Sequence, residues 1–192
     1  MHLHETEPAA DTAANRLRRR IRVATTILIA GLVISGATAI PLQWELGILH
    51  GLVGNSPGHD DTRLEPNLAG WVNRVHCGLV ETNQHYPFVA YGTDWLAFGH
   101  FVIALFFVGA WRDPVRNRWL FQAGMIACVA VVPYAMLFGY LREIPAAWRC
   151  IDASFGVVGF IPLWLAHRWT NQLVQKVVAQ TEDVPICPNP AN

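Results

Sequence analysis

Residues 91–118, YGTDWLAFGHFVIALFFVGAWRDPVRNR, hold the pattern that most narrows what this chain can become. Between Trp95 and Trp111 nearly every residue is apolar, and the run then meets Arg112, Arg116 and Arg118. A hydrocarbon core about 30 Å thick is crossed by roughly 17–25 such residues, with tryptophan suited to both interfaces. The polar exception inside the run is His100. It follows Asp94 by six residues, so at about 1.5 Å per residue it lies roughly 9 Å deeper than that aspartate. A polar group at such a depth needs a partner, because lipid supplies none.

Three further stretches share this character. The fold expected is an all-α integral membrane protein, a four-transmembrane-helix bundle with a helical extracytoplasmic cap. Residues 1–20 are read as a disordered cytoplasmic tail, 21–42 as the first span and 43–92 as an extracytoplasmic segment with amphipathic helices. The second span covers 93–111, a cytoplasmic turn 112–119, the third span 120–141, an outer loop 142–147 and the fourth span 148–169. Residues 170–192 form a cytoplasmic tail. A competing reading of the start is a cleaved signal peptide, since Ala37-Thr38-Ala39 resembles a small-x-small cleavage site. Against it stand the long leading tail, Pro41 just past the cut, and Ala24, Gly31, Ser35 and Thr38, a small-residue stripe suited to helix packing.

Within 43–92 two amphipathic helices are expected, Trp44 to Val53 and Asn67 to about His85, the second with Trp71, Val75 and Leu79 at i, i+4 and i+8. Pro87 closes it. Pro133 interrupts the third span and withholds one backbone donor.

Composition agrees with the spans. The chain is 53% hydrophobic and 15% charged over 192 residues, so apolar surface exceeds what a soluble domain of this length buries. Zero net charge and arginines gathered beside apolar runs argue against a nucleic-acid partner. The lipid bilayer is the partner implied, with a second membrane protein or another copy of the chain as further candidates. Lys and Arg at 16, 18, 19, 20, 22, 112, 116, 118, 168 and 176 fall on one side of the expected topology. Those at 63, 74, 142 and 149 fall on the other. This asymmetry places both termini in the cytoplasm.

The residues able to carry chemistry gather, on this reading, near the outer surface. Projection at 100° per residue groups Thr93, Ala97, His100 and Ala104 on one face of the second span. Arg149, Asp152, Ala153, Gly156 and Gly159 share a face of the fourth. His100, Asp152, Asp94 and Arg149 are therefore the candidate catalytic residues. With Glu81 and His85 at i, i+4 beside it, His100 is also a candidate ligand for a divalent metal ion. The competing reading is structural: His100 bonds Asp152, while Arg149 and Asp152 neutralise each other and fix helix register. Bis-histidine haem ligation fits poorly, since His167 lies at the opposite end of its helix. The four cysteines contain no CxxC pair. Cys77 and Cys150 share the oxidising side of the topology and are candidates for a disulfide.

The runs YGTDWLAFGH, WRDPVRNRW, GMIACV and WRCIDASFG together resemble an uncharacterised family of small four-span bacterial inner-membrane proteins, over roughly residues 80–168. The resemblance implies a bacterial inner-membrane location. It carries no activity and transfers no catalytic residue. The function expected is that of a non-catalytic partner or assembly protein, the alternative being a membrane-embedded enzyme or proton- or metal-handling site built on His100 and nearby carboxylates.

Overall fold

The computed structural model describes residues 7–53 and 68–182. Among them all regular structure is helical: α1 (Glu7–Ala39), α2 (Leu42–Val53), α3 (Leu68–His85), a 3-10 turn (Pro87–Ala90), α4 (Tyr91–Arg112), α5 (Arg118–Leu141) and α6 (Ala146–Glu182). Helices α1, α4, α5 and α6 each contain a stretch long and apolar enough to cross a membrane. At 1.5 Å per residue, the 22 residues of α4 span about 33 Å and the 24 of α5 about 36 Å, close to the thickness of a hydrocarbon core. The 33 residues of α1 and the 37 of α6 reach about 50 and 55 Å, well beyond it.

Those two lengths correct the sequence reading at both ends. Residues 7–20, expected as a disordered tail, are the first turns of α1, in a segment rich in the strong helix formers alanine and arginine. Residues 170–182, also expected as tail, continue α6. The physical reason lies in burial: Leu17 and Ile21 on α1, and Thr170 and Leu173 on α6, are enclosed, at 8, 0, 0 and 1% exposure. Residues 1–6, 54–67 and 183–192 lie outside the described residues. So do the readings that fall on them, including the turn-rich stretch around His59 and the fate of Cys187.

Backbone packing divides the chain into two compact units. The first comprises residues 1–28, 106–131 and 155–192. Its core combines large side chains, Ile21, Phe107, Phe121, Leu163 and Leu173, with the small Ala24, Ala110 and Ala166. Leu17, Ile21 and Ala24 on α1, and Leu163, Ala166, Thr170 and Leu173 on α6, recur every three or four residues, the spacing that keeps one helical stripe against a neighbour. The two buried threonines need no outside partner. Thr25 Oγ1 donates to Ile21 O at 2.8 Å and Thr170 Oγ1 to Ala166 O at 2.7 Å, each closing on its own preceding turn. Between α4 and α5 the turn is fastened by Asn117, whose Nδ2 donates to Gly109 O at 3.1 Å and Asp113 O at 3.0 Å, two carbonyls that also accept the backbone N–H groups of Asp113 and Asn117. Where α6 meets α5, Gly156 has no room for a side chain: a Cβ there would sit 2.5 Å from both Cys128 O and Val131 Cγ1.

The second unit comprises residues 29–105 and 132–154. Here Ala97, Ala104, Ala153, Leu46 and Val72 are the buried apolar side chains. Helices α2 and α3 pack against each other, with His50 and His76 stacked at 4.8 Å between ring centroids and Asn83 Nδ2 donating to Gln43 Oε1. The inward centre of α3 is Val72, at 1% exposure, while Trp71, Val75 and Leu79 flank it half-buried. On α1 the expected small-residue stripe shifts. Gly31 faces open space and Ser35 and Thr38 are exposed, whereas Gly36 is the close approach: a Cβ there would meet Phe101 Cε1 at 2.9 Å and Ala97 O and His100 Cβ at 3.0 Å. The α5–α6 connection ends α5 with Ile144 N–H donating to Gly139 O and Glu143 N–H to Tyr140 O. This paired capping arrangement sets its fifth residue in the left-handed region, and Glu143 occupies it at φ 58°.

Candidate functional site

The face projected for α4 is the face that packs. Ala97 and Ala104 are buried, Thr93 and His100 half-buried, and His100 lies beside Gly36 of α1. Its partner, however, is not a carboxylate. The Nδ1–H of His100 donates to Leu96 O at 2.8 Å, one turn back on its own helix. This bond fixes the tautomer and removes the cost of an unpaired donor.

Asp152 is half-buried on α6, and among the described residues it has neither a hydrogen bond nor an ion pair. The expected pairing of Arg149 with Asp152 is therefore not made, although the two lie three residues apart on one helix. Arg149 is drawn instead to α5. Its alkyl chain fills the space over Gly139, where a Cβ would come within 2.6 Å of Cδ, its guanidinium lies 5.8 Å from the Tyr140 ring centroid, and one N–H donates to Met136 O at 3.4 Å. Its Nε is buried without a hydrogen bond. The reason is packing: a glycine and an aromatic face on α5 offer a long cation both a groove and a π surface. Asp94 is exposed in the first turn of α4, where a carboxylate complements the positive end of the helix dipole.

The metal candidates are not assembled. His85 Nδ1–H donates to Glu81 O at 3.0 Å, so this i, i+4 pair is joined through backbone and not through the carboxylate. Among the described residues no group of three or more His, Cys, Asp or Glu side chains could hold a metal ion. Cys77 and Cys150 are both free thiols, and Cys77 Sγ donates to Asn73 Oδ1 on its own helix at 3.5 Å, which corrects the expected disulfide.

The sequence reading missed three features. The His50–His76 stack joins residues far apart in sequence, and only the pairing of α2 with α3 reveals it. His167 sits in the first unit with its Nε2 3.1 Å from Asn171 Nδ2 and its Nδ1 buried and unpaired. Three of the five arginines of α1, read only as a topology signal, form one face: Arg16, Arg19 and Arg20 follow helical spacing with Val23 and Ile27, a signal visible in the sequence itself. Comparison with protein-family models, with curated proteins and with solved structures finds no match.

Proposed function

We propose that this chain is a non-catalytic component of the bacterial inner membrane, with both termini in the cytoplasm, that works by assembling with another integral membrane protein. The observation that carries the reading is how the polar candidates are used. His100 bonds its own helix beside Gly36, His85 bonds its own helix, Arg149 lies along Gly139 on α5, and Asp94 sits at a helix start. Each serves helix packing or helix ends, the common use of polar groups in membrane helices. Helix α5 supports the partner half of the proposal. Only 6% of its apolar stretch is buried, against 22% in each of the other three spanning helices. The asymmetry of Lys and Arg supports the orientation.

A photo-crosslinking residue at Ile126, Val129 or Leu137, all exposed on α5, tests the assembly in living cells. A discrete adduct with one membrane protein, present at these positions and absent at the buried Phe121, is expected. Crosslinks to lipid alone at all three positions reject it. A reporter fused after Asn192 should read as cytoplasmic, and an extracytoplasmic signal there overturns the orientation.

One observation favours the second reading, a proton- or metal-handling site on His100. Asp152 is half-buried yet unpartnered among the described residues, and unpaired acids within spans are costly.

A further inference from the structure

In the first unit, α1 and α6 enclose a groove of about 540 Å³, within the roughly 300–1,000 Å³ range of ligand pockets. Its character changes along its length. Arg16, Arg19 and Arg20 line one end, and the walls beyond are Val23 and Ile27 of α1 with Ile161 and Leu165 of α6. Among the described residues no carboxylate lines it. The three arginines have no ion-pair partner among the described residues: Arg16 Nε donates to Thr12 O at 3.4 Å, and the Arg20 guanidinium rests 6.0 Å from the Trp169 ring centroid.

From Arg16 to Ile27 the groove follows eleven residues of one helix, about 16 Å along the axis. The part beyond Arg20 takes up seven of those residues, about 10 Å, roughly two-thirds of one leaflet's hydrocarbon of about 15 Å. With the arginines and Trp169 at headgroup level, the aliphatic walls run through most of one leaflet. Cations over an apolar channel that runs about 10 Å into one leaflet match one kind of molecule, an anionic group covalently attached to a long alkyl chain. A soluble anion would leave the walls empty, and a zwitterionic lipid would bring its own cation against three arginines.

We propose that this groove holds an anionic phospholipid, its phosphate between Arg16, Arg19 and Arg20 and one acyl chain along Val23, Ile27, Ile161 and Leu165. The site is independent of the assembly proposed above, since it uses α1 and α6 and not α5. Basic clefts between spanning helices are a recognised way of retaining such headgroups.

The test is lipid retention, read by native mass spectrometry of the purified full chain after exchange into phosphatidylglycerol or phosphatidylcholine. One phosphatidylglycerol per chain should survive activation, and phosphatidylcholine should not. Two double variants remove equal charge from different faces. Arg16→Gln with Arg20→Gln strips the groove, whereas Arg18→Gln with Arg22→Gln alters residues that line neighbouring clefts and leaves this one intact. Retention should fall tenfold or more in the first, on the scale of about 1 kcal/mol per basic residue near an anionic surface, and stay within twofold of the native chain in the second. Leu165→Trp keeps every arginine and fills the channel, and it should also release the lipid. Equal loss in both double variants would show a diffuse charge effect and overturn the site. So would equal retention of phosphatidylcholine, displacement by millimolar inorganic phosphate, or retention unchanged by Leu165→Trp.

Discussion

The two units hold their helices together with different balances of large and small side chains. In the first, Ile21, Phe121 and Leu173 are almost wholly enclosed, so helices meet mainly through large interdigitating side chains, with close approaches at Gly124 and Gly156. In the second, the spanning helices meet through Gly36, Ala97, Ala104, Gly139 and Ala153, and backbones approach closely with His100 and Arg149 laid into the remaining space. Lipid is as apolar as leucine, so neither mode is driven by expulsion of water within the membrane. Packing density and close approach do the work. The difference teaches which substitutions each region resists: loss of volume at the large core residues of the first, which also resists gain of volume at Gly156, and chiefly gain of volume in the second.

The largest effect is expected where a large side chain is removed. Phe121→Ala should destabilise the protein by about 3 kcal/mol, the scale of a phenylalanine cavity, measured by unfolding in mixed detergent micelles. A loss below about 1 kcal/mol would mean that the first unit collapses around the gap and that the contrast with the second is weaker than drawn.

Gly36→Leu should cost about 1–3 kcal/mol through overpacking, because a Cβ alone would already meet three atoms at 2.9–3.0 Å. Gly31→Leu, one and a half turns earlier with nothing within 4 Å, is its control and should be near neutral. Equal costs at the two glycines would break the claim that close approach, and not glycine content, holds the second unit.

The smallest effect should be a gain. Glu143→Gly relieves a left-handed backbone that costs a non-glycine residue roughly 1 kcal/mol, so stability should rise by up to about that amount. A loss on this substitution would show that the glutamate side chain contributes something the capping geometry does not explain.

The spans were legible because length and apolarity suffice to mark them: the four helices found are the four expected. The small faces around His100 and Ala153 were legible too, since 100° periodicity places residues of one helix. What a side chain meets across a helix interface is a different kind of fact. Periodicity put Arg149 and Asp152 on one face, but the groove over Gly139 and the ring of Tyr140, both on another helix, decide where the arginine goes. It placed Gly31 on the packing stripe of α1 and left Gly36 off it, and only the path of α4 shows that Gly36 is the one approached. The helical ends of α1 and α6 were read as tails because their polarity resembles that of a solvated segment. Their buried residues form a narrow stripe of the kind long helices use to continue packing past a membrane surface.

The central claim is that His100 is a packing residue and not a reaction centre, and the metal content of the purified protein tests it most directly. Native protein and His100→Asn, prepared side by side without chelators, would be compared by inductively coupled plasma mass spectrometry. The account predicts no stoichiometric metal in either, with a stability loss of about 1 kcal/mol in the variant, the net scale of one intramolecular hydrogen bond. One metal ion per native chain, lost on substitution of His100, would contradict it.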